Sequence, residues 1–384
     1  MSLPIVHVVG RFPPPADGQT LATERCASFL DGAFDVRRHD TRPPGPDPLS
    51  ADPRFGVRRA AHFLALRPRL RRALAEAPNA PVLWHAVSPA PLGHLRDRLA
   101  TLPAFALEQP VAAVLHRATF DALWAGPTRR SVERLVERVD TFVFQSEALA
   151  ERCAAVVPPD KRTVIPNTVR DAVAASDADL EARRADRPGR PFHVLFLSNL
   201  LPEKGYADVL QAVGRLAADG HDVTATFAGR WPTPEARAAF EGEARALGVA
   251  DRLAVLGPIT DAAEVLRLHL AADVFVLPTV HPTETQPIAI LEALGAGTPV
   301  VTVDRPVTRD VLADGVEGAL VPPHAPEAIA EAVRALMEPE RWHAAARAAR
   351  ARFEAQFAPE VVGKLWRELA RTLRPVRRRT PAGR

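Results

Sequence analysis

Two glutamates stand eight residues apart in the stretch from His281 to Asp304, which reads HPTETQPIAILEALGAGTPVVTVD. Glu284 precedes the run from Thr285 to Val303, in which Glu292 is the only charged residue. A carboxylate in apolar surroundings needs a cation, a set of hydrogen-bond donors or the hydroxyl groups of a ligand, because burying it unpaired is costly. The two side chains are therefore suited to binding two parts of one polyhydroxylated molecule.

The residues between the two glutamates predict a helix that begins beside the same ligand. Pro287 fits the first turn, Ile288 to Leu294 continue the helix, and the β-branched run Val300 to Val303 follows a glycine-containing turn. Gln286, Pro287 and Ile288 thus lie at a helix N-terminus, where backbone N–H groups favour a phosphate. An arbitrary pair of glutamates is more often solvated or ion-paired, so the surrounding elements decide the interpretation.

Apolar runs alternate with helical segments through both halves of the chain, which predicts parallel sheets covered by helices. The 384 residues, of which 47% are hydrophobic, suffice for two cores. We therefore predict an α/β protein of two doubly wound, Rossmann-like domains. The predicted divisions are a first domain at 1–170, a polar linker at 171–190, a second domain at 191–356, and a helix with a basic tail at 357–384.

Polar residues that end or follow the predicted strands are expected to line clefts, because ligands of open α/β sheets bind outside the carboxyl ends of the strands. Gly18 and Gln19 end the loop FPPPADGQ before a predicted helix, and His116 ends the strand PVAAVLH. In the second half, Lys204 lies in the turn that follows FHVLFL, and Arg230 lies in the turn FAGRW.

The order of strand DVFVLPT, Glu284, helix with Glu292, turn GAGTP and strand VVTVD resembles the donor-site signature of glycosyltransferase family 4, whose members are retaining enzymes of the GT-B fold. The resemblance covers nearly the whole chain, is specific from Val194 to Pro323 and is looser before His116. It implies two Rossmann-like domains that face a central cleft, with the nucleotide sugar bound mainly to the second and the acceptor to the first. It also implies that the last helix crosses back to the first domain.

The same resemblance implies a role for each residue at the matching positions. Glu292 would hold the ribose of the donor and Glu284 the hydroxyls of its sugar, while Lys204 would neutralise the diphosphate. His116 would contact the transferred sugar from the first domain. Glu284, His116 and Lys204 are therefore the expected catalytic set.

Two places depart from the family pattern. Asn199 stands five residues before Lys204, where the family has an arginine, and Arg230 is the expected substitute for that charge. The loop that ends at Gly18 and Gln19 matches in part the family's glycine-terminated loop, which faces the donor phosphates or the acceptor.

The resulting prediction is a retaining glycosyltransferase that moves a sugar from a UDP-, GDP- or ADP-linked donor to a hydroxyl of a glycan or lipid-linked acceptor, in the synthesis of cell-surface polysaccharide, glycolipid or glycoconjugate. No cofactor or metal is expected, because Lys204 and the helix N-terminus at Pro287 replace the cation. The triplet Asp177-Ala-Asp179 has no flanking strand to fix ligand geometry and is not expected to bind metal. Two alternatives remain: a nucleotide-sugar epimerase of the same fold, and a catalytically silent sugar-binding scaffold, which the departure at Asn199 suggests.

The segment 54–72, RFGVRRAAHFLALRPRLRR, leaves two interpretations open, a solvated helix face and a helix that lies on an anionic membrane. A net charge of +3 gives no reason to expect nucleic acid as a partner. Because no apolar run is long enough to span a bilayer and no signal-peptide pattern is present, we expect a cytoplasmic protein, at most peripheral at the inner face of the membrane. Cys26, Cys153 and His85 are expected to be structural, and two cysteines fit a reducing compartment.

Overall fold

The computed structural model describes residues 2–14, 18–42, 57–85, 87–88, 91–105, 109–116, 120–124, 126–170, 173–186 and 189–374. The chain divides into two compact units, residues 1–166 with 362–384, and residues 167–361. Among the described residues each unit contains one six-stranded sheet, and every strand pairing in both sheets is parallel. The predicted α/β class with two parallel sheets is confirmed.

The first unit is an alternation of short buried strands and helices. Its strands are β1 Ile5–Gly10, β2 Asp35–Asp40, β3 Val82–Trp84, β4 Val111–Val114, β5 Thr141–Phe144 and β6 Arg162–Val164. Its helices before the second unit are α1 Gly18–Leu30, α2 Val57–Leu74, α3 Pro91–Arg96, α4 Asp121–Trp124, α5 Arg129–Arg138 and α6 Glu147–Arg152. The sheet has the order β2-β1-β3-β4-β5-β6. The second strand is added on one side of β1 and all later strands on the other side, so the strand order reverses between β1 and β3.

The second unit repeats this architecture with more regular helices. Its strands are β7 Phe192–Leu197, β8 Val223–Ala228, β9 Leu253–Leu256, β10 Val274–Leu277, β11 Val300–Val303 and β12 Gly318–Val321. The helices are α7 Asp177–Asp186, α8 Tyr206–Ala218, α9 Pro234–Ala246, α10 Ala262–Ala271, α11 Ile288–Gly295, α12 Pro306–Arg309, α13 Pro326–Leu336 and α14 Pro339–Arg352. The order β12-β11-β10-β7-β8-β9 places the reversal between β7 and β10, where ligands of such sheets bind.

The last helix, α15 Pro359–Thr372, contributes to the core of the first unit. Its side chains at Val362, Trp366 and Leu369 are buried with strand residues such as Val6 and Leu83. The residues after 374, which include the predicted basic tail, lie outside the described residues.

Strand β2 is an element that the sequence pattern did not predict. Its sequence is DVRRHD, and it pairs with β1 at the edge of the first sheet. All six of its residues are exposed or partly exposed. An edge strand needs no buried apolar run, because one side of its backbone and much of its surface face solvent.

The segment predicted to be a polar linker contains a helix. Helix α7 forms residues Asp177–Asp186 of this segment, and its Arg183 is buried in the second unit. Arg183 donates to the carbonyls of Ala296 and Gly297 at 3.1 and 2.9 Å, and also to the carbonyl of Ala272. Among the side chains of 177–183, which the structure describes, only Arg183 is buried, so this part of the helix needs few apolar residues.

Helix α2 contains the described part of the segment 54–72, whose residues 54–56 lie outside the described residues. Leu66, Leu70 and Leu74 are buried in the first unit, whereas Leu64 is 80% exposed. Much of the apolar side of the helix is thus occupied by the protein itself, and four of the eight exposed residues among 61–74 are arginines. No helix of the described residues is long and apolar enough to cross a bilayer.

Replacing Arg183 by methionine tests whether α7 is part of the second unit's fold. The variant leaves three buried carbonyls without their donor, and an unsatisfied buried acceptor costs about 1–3 kcal/mol. We expect the free energy of unfolding, measured by urea denaturation followed by circular dichroism, to fall by at least about 2 kcal/mol. Arg341→Met on the exposed side of α14 is the matched control, and equal stability of the two variants would contradict the prediction.

Candidate functional site

The point of reversal in the second sheet is formed by the turns that follow β7 and β10. The turn after β7 ends in the short helical turn Pro202–Lys204, and Gly205 follows with a φ of 80°. A Cβ on Gly205 would lie 2.6 Å from the side chain of Pro278, so the two turns are in direct contact. Glycine permits both this backbone conformation and this close approach.

Lys204 and Glu284 form an ion pair across this contact. Lys204 Nζ donates to Glu284 Oε2, and the hydroxyl of Thr279 lies 3.3 Å from the same oxygen. The Lys204 and Glu284 side chains are only 16% and 14% exposed, so water screens their attraction weakly. The structure therefore brings together two residues that were predicted for two parts of one ligand.

Asn199 and Arg230 lie in adjacent turns at the ends of β7 and β8. Leu200 N donates to the carbonyl of Arg230 at 2.9 Å, and both the Asn199 and Arg230 side chains are exposed. Gly229 makes this approach possible, because a Cβ there would lie 1.8 Å from the carbonyl oxygen of Ser198. Arg230 thus makes a backbone contact with the turn that carries Asn199.

Helix α11 begins at Ile288, with Pro287 as its N-cap, one residue later than predicted. Glu292 lies in the second turn and is partly buried. Gln286, predicted to bind the donor, is buried, and its Oε1 accepts a hydrogen bond from Asn167 N at 2.6 Å. Its side chain therefore ties the start of α11 to the first residues of the second unit.

Sequence reasoning missed two residues of this site, Thr279 and Arg305. Thr279 follows β10 and is fully buried beside Glu284. Arg305 follows β11, and its Nη1 donates to the carbonyls of Thr279 and His281 at 3.3 and 3.1 Å. Both are polar residues just past a strand, so the rule applied to the other strand ends could have found them.

In the first unit, Gln19 and His116 meet at His85. His116 Nε2 lies 3.2 Å from His85 Nδ1, and Gln19 Nε2 donates to the His85 carbonyl at 2.9 Å. His85 is buried against Trp366, with ring centroids 5.5 Å apart. Burial, and secondarily the neighbouring His116, lower the pKa of His85 well below its ordinary value, so this imidazole is neutral. A histidine expected to be structural thus connects two predicted site residues.

Gly18 is the exposed first residue of α1, and Arg11 Nη1 lies 3.4 Å from Gln19 Oε1. Residues 15–17 of the same loop, and residues 117–119 after His116, lie outside the described residues.

Burial raises the pKa of the Cys26 thiol well above its ordinary value, which disfavours the nucleophilic thiolate.

The Asp177-Ala-Asp179 triplet lies in the first turn of α7. Asp179 Oδ2 accepts from the backbone N and the hydroxyl of Ser176 at 2.8 and 2.7 Å. The Ser176 hydroxyl, followed by the Ser176 N–H, holds the pKa of Asp179 below its ordinary value. Asp179 therefore stabilises the start of a helix.

Comparison with known proteins agrees with this architecture. Residues 6–173 match the family Glycosyltransferase Family 4, and residues 177–353 match Glycosyl transferases group 1. The phosphatidyl-myo-inositol mannosyltransferase of Mycobacterium tuberculosis is 30% identical over 276 residues, 68% of each chain. The Mycolicibacterium smegmatis protein of the same name is 32% identical over 64% of this chain, and the match spans 61% of its own length.

Solved structures show the same fold. Anabaena Alr3699/HepE in complex with UDP superposes with a TM-score of 0.71 at 17% identity, over 97% of this chain and 100% of that one. The lipopolysaccharide outer core galactosyltransferase WaaB gives a TM-score of 0.66 at 14% identity, over 95% and 98%. The architecture is that of the GT-B glycosyltransferases. Within that class, the chain belongs to glycosyltransferase family 4.

Gly229→Ala tests the close approach of the turns that carry Asn199 and Arg230. The added Cβ cannot remain 1.8 Å from a carbonyl oxygen, so one turn must move, and the φ of 155° adds strain. We expect a melting temperature several degrees below that of the unaltered protein. Gly242→Ala in α9, where the nearest atom lies 3.9 Å away, should leave the melting temperature unchanged or higher. Equal melting temperatures would show that the approach is not required.

Proposed function

We propose that this chain is a glycosyltransferase that moves a sugar from a nucleotide-sugar donor to the hydroxyl of an acceptor. The observation that carries the proposal is the Lys204–Glu284 pair, which lies where the second sheet reverses its strand order. A cation and a carboxylate in contact are suited to a ligand that joins a diphosphate to a polyhydroxylated sugar.

Each residue of the second unit has a distinct task in this proposal. Lys204 and the N-terminus of α11 stabilise the negative charge that grows on the departing diphosphate. Glu284 accepts hydrogen bonds from the sugar hydroxyls, and Glu292 accepts them from the ribose. Catalysis of this kind consists mainly of positioning and charge stabilisation, so no covalent nucleophile is assigned.

Retention of the anomeric configuration and independence of metal belong to the proposal through the family resemblance. His116 is proposed to contact the transferred sugar, and its hydrogen bond to the neutral His85 fixes which of its nitrogens can serve that contact. The complex of Anabaena Alr3699/HepE with UDP-glucose favours a UDP-linked donor, while GDP- and ADP-linked sugars stay in consideration. The name of the mycobacterial relatives favours a lipid-linked acceptor.

Contact with an anionic membrane through 54–72 stays a prediction. Helix α2 buries Leu66, Leu70 and Leu74 in its own unit and exposes Leu64 together with Arg67, Arg71 and Arg72. Because arginines outnumber leucines on the exposed side, charge would be the main contribution to the contact, so it would weaken as salt increases.

The experiment that tests the function combines a donor screen with product analysis. Thermal shifts with UDP-, GDP- and ADP-sugars identify the donor, and nuclear magnetic resonance of the glycoside formed on an acceptor gives its anomeric configuration. We expect transfer with retention that survives excess EDTA. Conversion of the nucleotide sugar to its epimer without acceptor would favour the epimerase, and donor binding without either reaction would favour the silent scaffold. Loss of turnover that magnesium restores would contradict metal independence.

Arg230→Ala tests whether this residue replaces the arginine that the family carries at position 199. A cation beside the diphosphate acts mainly in the transition state, so turnover should fall by at least about tenfold, with a smaller change in donor affinity. Asn199→Arg in the same chain should recover part of the lost turnover. Lys204→Ala should cause a severe loss of turnover whether residue 199 is asparagine or arginine. Arg237→Ala, an exposed arginine of α9 paired with Glu241, is the matched control. Unchanged turnover in Arg230→Ala would rule out the compensation.

A further inference from the structure

We propose that Thr279 and Arg305 are positioning residues that hold Glu284 in place for the donor sugar, and so decide whether a nucleotide sugar binds more tightly than the bare nucleotide. The inference rests on the proposed function, because it concerns the sugar side of that site. It assigns to the ends of β10 and β11 a part in sugar recognition.

Thr279 holds the carboxylate of Glu284 directly. Its hydroxyl lies 3.3 Å from Glu284 Oε2 and 3.4 Å from the carbonyl of Glu203, and it accepts from His281 N at 3.3 Å. The residue is fully buried, so the hydroxyl has these protein groups as its surroundings rather than bulk water. A hydroxyl carries one proton, which it can donate to Glu284 or to Glu203 but not fully to both.

Arg305 holds the backbone of the same turn. Its Nη1 donates to the carbonyls of Thr279 and His281, and Glu284 N in turn donates to the His281 carbonyl at 3.2 Å. Within the described part of the chain Arg305 forms no salt bridge with a carboxylate, so these carbonyls are its principal partners. On the opposite side, Val280 N donates to the Glu203 carbonyl at 2.8 Å. The turn is thus fixed from β11 on one side and from the Lys204 turn on the other.

The contribution of Thr279 to the orientation of the Glu284 carboxylate increases when a donor binds. In the free protein Lys204 also donates to Glu284 Oε2, so the carboxylate has two partners. A diphosphate competes for Lys204, and the Thr279 hydroxyl can then give its single proton to Glu284. The carboxylate therefore keeps its orientation while the sugar hydroxyls take the place of the ammonium group. Without Thr279 and Arg305, the diphosphate would still bind but the carboxylate would lose its alignment.

This argument separates the positioning residues from residues that touch the diphosphate. Loss of alignment at Glu284 weakens the binding of a nucleotide sugar and leaves the nucleoside diphosphate almost unaffected. Loss of a phosphate contact weakens both ligands. The ratio of the two dissociation constants therefore reports on positioning, whereas a general loss of stability would not change it selectively.

The test uses the full chain with three ligand pairs: UDP-glucose and UDP, GDP-mannose and GDP, and ADP-glucose and ADP. For the pair that the unaltered protein binds, isothermal titration gives both dissociation constants. We expect Thr279→Val and Arg305→Met each to raise the dissociation constant of the nucleotide sugar by about tenfold, the loss of one or two hydrogen bonds, while that of the diphosphate changes less than about twofold. Thr279→Ser should restore the original ratio, because it retains the hydroxyl.

The controls make each outcome decisive. Arg309→Met removes an exposed arginine of α12 that pairs with Asp304. Its ratio of the dissociation constants for nucleotide sugar and diphosphate should equal that of the unaltered protein. If the Thr279 and Arg305 variants have the same ratio of dissociation constants as Arg309→Met, this inference is overturned and the proposed donor site is left intact. An equal loss for nucleotide sugar and diphosphate also overturns it, and assigns Arg305 to the diphosphate. Arg305→Lys serves if Arg305→Met does not fold. An unaltered protein that binds none of the pairs overturns the donor-site proposal as well.

Discussion

The ion pair between Lys204 and Glu284 joins two turns that are 80 residues apart in sequence, and the arrangement of the candidate site depends on it. Both side chains are largely buried, so each charge needs the other when no ligand is present. A ligand that takes the ammonium group must give the carboxylate new donors. The hydroxyls of a sugar are such donors, and a diphosphate attached to that sugar is the anion that can compete for the lysine. The pair therefore favours a ligand that carries both groups over a ligand that carries one.

Helix α11 is held at both ends by contacts within the second unit. At its C-terminus Arg350 donates to the carbonyl of Gly295 at 2.7 Å, and Arg183 donates to the next two carbonyls along the chain. Cations at this end neutralise the partial negative charge of the helix, which leaves its positive N-terminus to act on a ligand. At the N-terminal end, the Gln286 side chain is bonded to Asn167. A helix fixed in this way keeps Glu292 in a constant position within the second unit.

The sequence predicted those parts of the molecule that depend on local pattern. Buried parallel strands are continuous apolar runs, so eleven of the described strands were recognised, while the polar edge strand β2 was not. Helix α7 was missed because Arg183 is the buried residue among its described side chains, so no row of buried apolar residues marks a packed face there. Lys204 and Glu284 were predicted to be site residues, but their pairing was not predicted. Contacts such as Arg305 with His281 arise from the strand order, which a local motif does not encode.

We propose that the departure at Asn199 changes where the positive charge lies rather than whether the site has it. Strands β7 and β8 are neighbours, and the ends of adjacent strands lie about 5 Å apart, which is within the reach of an arginine side chain. The hydrogen bond from Leu200 N to the Arg230 carbonyl keeps the two turns at this separation. A guanidinium at the end of β8 can therefore act on the same anion as one at the end of β7. The electrostatic stabilisation of a diphosphate depends on distance and burial, so the residue that supplies the charge can change while the charge itself is retained.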